Sequence, residues 1–224
     1  MKPCLRIGLA VAFAAYHISS ALQAQGTAGN GRFRLVIAAD TGAPVSVELQ
    51  GQKLYPKGYQ PGFAGSPSET PLLAFDLAAT SEGVTGTGKK IELSTQALTS
   101  LVIFQKVTPE KDGKPGKREL EIQKITSVGD KPRIEVISFS NQPAVRIQIN
   151  DTTMGFNRGV SKVLPKLPAL KQDQPDSQEA GTSPLRISHD EDELFFESVE
   201  AKEHLLIILY DGVDGKLRVA VADA

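Results

Sequence analysis

Apolar and polar residues alternate with a period of two along most of the chain that follows residue 31. In the stretch RFRLVIAA, Phe33, Leu35 and Ile37 share one face, and VSVELQ (residues 45–50) alternates in the same way. This period is typical of β-strands that bury one face. KKIELS (89–94) and RELEIQ (118–123) repeat it. No long segment shows an amphipathic helical stripe, so the pattern predicts an all-β protein.

Turn residues separate these strand patterns. DTGAP (40–44), SEGVTGTGKK (81–90) and KDGKPGK (111–117) supply the Gly, Pro and Asp that tight turns require. Between two of these turns, LVIFQ (101–105) is apolar on both faces, which indicates a central strand. In YDGVDGK (210–216), the Asp-Gly pairs predict a hairpin.

The order of these blocks repeats after about a hundred residues. FRLVIAADTGAPVSVELQG (33–51) aligns with PRIEVISFSNQPAVRIQIN (132–150), and LVIFQ aligns with LLIIL (205–209). The segment GYQPGF (58–63) similarly aligns with GFNRGV (155–160), so that Tyr59 matches Phe156. We therefore expect at least one glycine of each pair, Gly58 and Gly62 or Gly155 and Gly159, to adopt a positive φ.

The repeat predicts two copies of one domain. Each copy has about seven short strands separated by regular turns, which is typical of an immunoglobulin-like antiparallel β-sandwich. The first sandwich is expected over 32–127 and the second over 131–224, and the short connection between them predicts that the two touch. A single barrel or one larger sandwich is the alternative. Residues 166–184, rich in Pro, Gln, Asp and Ser, are expected to form a mobile surface loop, with a partner-binding loop as the alternative.

The first 24 residues have the pattern of a cleaved signal peptide. Lys2 and Arg6 precede an apolar run from Ile7 to about Tyr16, and small and polar residues follow as far as Ala24. A membrane anchor is the alternative, but polar residues interrupt the run before it reaches the roughly 20 apolar residues that a membrane span needs. We expect residues 25–31 to be a flexible segment after cleavage, and no membrane span to remain.

Composition narrows the chemistry further. Of 224 residues, 40% are hydrophobic and 23% are charged, as in a globular protein. The one cysteine, Cys4, lies in the signal peptide, so the mature chain would have neither disulfides nor a thiolate site. The chain has 25 basic and 26 acidic residues, and loss of Lys2 and Arg6 leaves a net charge of about −3. This charge does not favour nucleic acid, and no motif indicates a cofactor.

Two short stretches are candidate binding sites. Tyr55, Tyr59 and Phe63 recur every four residues, and an exposed, coplanar arrangement of their rings would suit stacking against sugars. The alternative is that these rings pack against the core. In the acidic run HDEDE (189–193), an extended chain would place Asp190 and Asp192 on one face as possible ligands of a divalent ion. A solvated acidic run is the alternative there.

The segment RLVIAADTGAPVSVELQGQKL (34–54) resembles the opening of a family of uncharacterised secreted bacterial β-sandwich domains that often occur in tandem. The likeness rests on residues 34–37, Pro44, Val45, Val47, Leu49 and Gly51, which are echoed at residues 133–137, Pro143, Val145, Ile147 and Ile149. The family usually has a histidine and an aspartate around the turn, where this chain has Ala38 or Ala39 and Ser46. The resemblance implies export and a tandem sandwich, and it implies no activity.

These observations predict an exported, periplasmic or extracellular protein that acts as a non-enzymatic interaction or structural module. Its partner would be an envelope protein or a glycan. A carbohydrate-binding module is one alternative, and exposed, coplanar rings would support it. A hydrolase is the other alternative, and a cluster of acids or histidines in a cleft would support it.

Overall fold

The computed structural model describes residues 29–110, 116–127, 133–164, 182–200 and 204–223, and within these ranges every regular element is a strand. The expected signal peptide therefore lies outside the described residues. The first strands are β1 (Gly31–Ala38), β2 (Ser46–Leu49), β3 (Gln52–Lys53), β4 (Ser68–Thr70), β5 (Ala74–Ser81), β6 (Val84–Glu92), β7 (Leu98–Thr108) and β8 (Lys117–Thr126). They form two four-stranded sheets, ordered β4-β1-β7-β8 and β3-β2-β5-β6.

The second half of the chain repeats this topology. Its strands are β9 (Arg133–Ser138), β10 (Ala144–Ile149), β11 (Thr152–Asn157), β12 (Ser161–Leu164), β13 (Thr182–His189), β14 (Asp192–Glu200), β15 (His204–Asp211) and β16 (Leu217–Asp223). The sheet orders β12-β9-β15-β16 and β11-β10-β13-β14 match those of the first half strand for strand. The all-β fold with two sandwich-like units is therefore confirmed, and each unit has eight strands where about seven were expected.

One pairing in each sandwich departs from the antiparallel expectation. β1 runs parallel to β7, and β9 runs parallel to β15. Parallel neighbours need a long crossover connection, and the chain supplies one by passing through the opposite sheet between the two paired strands. The period of two does not distinguish parallel from antiparallel pairing, so the sequence pattern gave no signal for it.

Each sandwich has its own apolar core between its two sheets. In the first, Leu35, Ile37 and Leu101 of one sheet face Val47 and Phe75 of the other. In the second, the core contains Val136 and Ile207 on one side and Ile147 and Ile187 on the other. These residues lie on the faces that the alternation predicted, because successive side chains of a strand point to opposite sides of its sheet.

A third apolar cluster joins the two sandwiches. The sheet that contains β1 and β7 packs against the sheet that contains β9 and β15, so the molecule has four layers of strands. The cluster consists of Val36, Ala38, Val102, Phe104, Ile125, Ile137, Phe139, Leu206, Ile208, Tyr210, Ala220 and Ala222. The rings of Phe104 and Phe139 stack across it with their centroids 4.1 Å apart. This second buried face explains why residues 101–104 and 205–209 are apolar on both faces of their strands.

A buried arginine also crosses the junction. Arg34 of β1 is 1% exposed and donates from Nε to the Ser100 hydroxyl at 2.7 Å. Its Nη1 donates to the backbone carbonyl of Asp223 in the second sandwich. Burial lowers the pKa of Arg34 to about 10, and the charge of Asp223 partly offsets this effect. A buried guanidinium is costly unless it is hydrogen-bonded, so these partners fix the position of β16 against β1.

The expected loop over 166–184 lies mostly outside the described residues. Its last three residues do not belong to a loop, since residues 182–184 begin β13 and pair with residues 198–200 of β14. The C-terminal bound of the loop prediction was therefore wrong. Among the described residues, no helix is long and apolar enough to cross a membrane.

Candidate functional site

The three aromatic residues singled out in the sequence form one continuous cluster, which we call the aromatic cluster. The ring centroids of Tyr55 and Tyr59 are 5.6 Å apart, and those of Tyr59 and Phe63 are 4.8 Å apart. Tyr55 is 45% exposed and Phe63 is 37% exposed, while Tyr59 between them is half-buried. The structure therefore brings all three residues together and leaves the outer two open to solvent.

Backbone hydrogen bonds hold this segment on the first sandwich. Tyr59 exchanges two hydrogen bonds of 2.8 Å with Val45, and Ile37 donates to the Phe63 carbonyl at 2.8 Å. Gly58 and Gly62 both have positive φ, at 72° and 79°, as expected. A side chain at Gly62 would also meet the second sandwich, because its Cβ would lie 3.1 Å from the Tyr210 hydroxyl. The segment that carries the aromatic cluster is thus hydrogen-bonded to the first sandwich and lies close to Tyr210 of the second.

The second copy confirms the alignment of Tyr59 with Phe156 and uses the ring differently. Phe156 lies opposite Val145 in the β10–β11 pair, just as Tyr59 lies opposite Val45. Phe156 is 1% exposed and belongs to the core of its sandwich. Gly159 has a φ of 72°, which meets the expectation of one positive φ in the second glycine pair.

The geometry of the aromatic cluster differs from a flat platform. Successive rings are tilted by 43° and 41°, so they present a stepped apolar surface. Burial raises the pKa of Tyr59, and neighbouring Tyr55 adds to that shift. Leu54 beside the cluster is also exposed. The combination suits apolar contact with a complementary surface better than face-on stacking of a planar ligand.

The acidic run 189–193 does not have the extended geometry that the metal hypothesis assumed. His189 pairs with Asp192, so Asp190 and Glu191 form the two-residue turn between β13 and β14. Asp190 has a φ of 53°, and its carboxylate lies 3.5 Å from His189 Nε2. Asp192 instead pairs with Lys216 at 3.1 Å.

The same turn in the first copy is Glu82–Gly83, whose glycine marks it as a turn in the sequence. The second copy lacks that glycine, which is why the run looked like a straight strand. Among the described residues, no group of three His, Cys, Asp or Glu side chains is placed to hold a metal ion.

Sequence reasoning missed a cavity of about 360 Å³ at the junction of the two sandwiches, which we call the junction cavity. The first sandwich contributes Asp40, which follows β1, and the adjacent ends of β7 and β8. The second contributes the loop after β9 and the β15–β16 hairpin. Its lining is Asp40, Gln105, Val107, Arg118, Asn141, Gln142, Asp211, Gly212, Val213 and Gly215. These residues are spread over more than 170 positions, so no local motif could reveal the cavity.

Asp211 organises one wall of the junction cavity. Its carboxylate accepts hydrogen bonds from the Ser140 hydroxyl at 2.5 Å, from the Asn141 backbone at 2.6 Å and from the Asn141 side chain at 3.1 Å. The Asn141 side-chain oxygen in turn accepts from the Val107 backbone of the first sandwich at 2.8 Å. This chain of bonds places the Asn141 amide on the wall and joins the two sandwiches there.

Asp40 lies on the wall from the first sandwich. The Arg218 guanidinium of the second sandwich lies 3.4 Å from its carboxylate and 3.2 Å from that of Asp214. Tyr210 lies beside this group. Burial raises the pKa of Tyr210 to about 12, the charge of Arg218 opposes this shift, and the charge of Asp40 adds to it. The carboxylates of Asp40 and Asp211 therefore line a cleft, but each already has partners: Asp40 pairs with Arg218 across the junction, and Asp211 accepts from Ser140 and Asn141 of its own sandwich.

Comparison with known proteins does not assign the chain to a family. A scan against protein-family models finds no match to the chain, and a search of curated proteins finds no matching relative. The function of the chain must therefore be inferred from its residues and their arrangement.

Proposed function

We propose that this chain is an exported, non-enzymatic interaction module of the cell envelope or extracellular space. The observation that supports it most is the third apolar cluster, which joins two sandwiches into one four-layered body. Such a body holds loops in fixed relative positions, and loops on a rigid scaffold are common sites of recognition. The N-terminal signal pattern supports export.

The aromatic cluster is the contact surface that we assign to a protein partner. Tyr and Phe are enriched at protein interfaces because a large ring removes much apolar area from water at a small cost in side-chain entropy. Tyr55 and Phe63 are exposed, and the hydrogen bonds of Tyr59 with Val45 and of Ile37 with Phe63 hold the backbone that carries them. The tilted rings disfavour the flat sugar platform considered from the sequence.

Site-specific photocrosslinking tests this surface. A photoreactive amino acid placed at Tyr55 in the exported protein should crosslink one envelope protein in intact cells. The matched control is the same amino acid at Phe196, which is also 45% exposed and lies on β14 of the other sandwich. The proposal fails if the Tyr55 position gives no adduct, or if both positions give the same adducts at equal yield.

Export has its own test. Mass spectrometry of the protein recovered from the envelope or the medium should find a chain that begins at or near Gln25. A mature protein that retains Met1 or Lys2 would contradict the signal-peptide hypothesis.

A further inference from the structure

The junction cavity has a lining that the aromatic-cluster proposal does not use. Its volume of about 360 Å³ lies at the lower end of the roughly 300 to 1,000 Å³ typical of small-molecule sites. Both sandwiches contribute walls, and the stacked pair Phe104 and Phe139 lies in the apolar cluster that fixes these walls against each other. The backbone of these walls is therefore pre-formed, and a ligand would need to order mainly the exposed side chains of the lining.

Three polar side chains of the lining have hydrogen-bonding groups that are available to a ligand. Within the described ranges, no hydrogen bond or ion pair engages the side chains of Gln105, Arg118 or Gln142. Arg118 and Gln142 are exposed, and Gln105 is half-buried. Together they offer a guanidinium, which only donates, and two amides, which both donate and accept.

Two carboxylates add acceptors to the same lining. Asp211 accepts its hydrogen bonds from Ser140 and Asn141, and Asp40 faces Arg218. An ionised carboxylate has about four lone-pair sites, so both groups retain capacity for a ligand. Their charges are countered by Arg118 in the lining and Arg218 beside Asp40. A strongly anionic ligand would meet the two carboxylates, and a strongly cationic one would meet the two guanidinium groups.

We propose that the junction cavity binds a neutral saccharide of one or two rings. A hydroxyl group donates and accepts at once, so a ring of hydroxyls matches a lining that mixes carboxylates, amides and a guanidinium. Val107 and Val213 supply apolar patches for the C–H faces of a sugar ring. This inference rests on the proposed function as a binding module and names a ligand class for a site separate from the aromatic cluster.

Nuclear magnetic resonance of the mature, uniformly labelled protein tests the proposal. The probes are cellobiose, maltose, lactose and N,N′-diacetylchitobiose, each titrated to about 20 mM so that Kd values up to the millimolar range are detected. At least one probe should give saturable shifts in the backbone amides of Val107, Asn141 and Gly212 and in the Asn141 side-chain amide. These groups report on the cavity walls, since Val107 donates to Asn141.

Three variants make the result specific. Arg118→Met and Gln142→Ala should each weaken the binding of the active probe about tenfold, because each removes hydrogen bonds that the ligand would make. The matched control is Arg32→Met, at an exposed arginine on β1 that does not line the cavity, and it should leave Kd unchanged.

The proposal would be overturned if none of the four sugars changed the chemical shifts of the cavity residues. Shifts confined to residues 54–63, which would move sugar binding to the aromatic cluster, or a Kd that Arg118→Met does not alter, would overturn it as well. Photocrosslinking at Tyr55 is independent of all these outcomes, so failure of the saccharide site and failure of the interaction module are distinguishable.

Discussion

The two sandwiches share a topology and close their sides differently. In the first, β6 carries Gly86 and Gly88 and its backbone lies close against β8, so that a Cβ at Gly86 would overlap the Leu120 carbonyl. In the second, β14 carries Leu194, Phe195 and Phe196, and two of these pack against the core while Phe196 stacks on Arg186. The side of the first sandwich is therefore closed by contact between the backbones of β6 and β8, and that of the second by the apolar side chains of β14.

The copies differ in a second way at the aligned rings of Tyr59 and Phe156. The first copy leaves its ring half-buried and extends it into the aromatic cluster, while the second buries its ring fully. The repeat therefore preserves strand order and turn positions, while the aligned ring is fully buried in the second copy and only partly buried in the first. Equivalent substitutions should consequently have unequal effects.

The largest inequality is expected at these rings. Phe156→Ala should lower the free energy of unfolding by about 3 to 5 kcal/mol, because it leaves a cavity in a fully buried site. Tyr59→Ala should cost about 1 to 2 kcal/mol, since much of the ring already contacts water. Urea unfolding of both variants measures the difference, and equal losses would show that the two rings are buried alike.

The next largest difference is expected at Gly86, the β6 glycine that lies against β8. Gly86→Ala should destabilise the protein by about 2 to 3 kcal/mol, because the added methyl group forces β6 away from β8. The control is Gly155→Ala, at a strand glycine whose Cβ would meet no atom within 4 Å, and it should change stability by less than about 0.5 kcal/mol. If the two variants unfold alike, β6 and β8 do not lie in contact.

The smallest difference is expected between Gly58 and Gly159, which do not align with each other but have the same φ of 72°. Gly159→Ala should cost about 1 to 2 kcal/mol from the left-handed backbone alone. Gly58→Ala should cost about 1 kcal/mol more, because its Cβ would lie 3.0 Å from Pro44 Cβ and 3.1 Å from the Val45 carbonyl. Thermal unfolding of both variants checks this ranking, and a reversed order would contradict the contacts around Gly58.

Much of the fold could be read from the sequence because strands leave a local signal. The alternation around Val45 and Val47, the repeat after about a hundred residues, and the match of Tyr59 to Phe156 all concern neighbours in the chain or equivalent positions in the copies. Pairing across the sheet is not local, so the parallel β1–β7 pair was missed. The turn at Asp190 was missed as well, since the second copy lacks the glycine that marks the first.

The two candidate sites also differ in whether the sequence could predict them. Tyr55, Tyr59 and Phe63 have a fixed spacing along one segment, and the structure brings them together as a cluster. The junction cavity gathers Asp40 and Arg118 from the first sandwich and Asp211 from the second, and these residues are far apart in the sequence. The strand LVIFQ did carry a signal of this junction, because it is apolar on both faces, but this pattern was interpreted only as that of a central strand.

The most direct test of the account is differential scanning calorimetry of the mature chain. If the third apolar cluster joins the two sandwiches into one body, they should unfold in a single transition, with a ratio of calorimetric to van't Hoff enthalpy of about 1. Two resolved transitions, or a ratio near about 2 within one peak, would show that the sandwiches unfold independently. That result would contradict the rigid body on which both proposed sites depend.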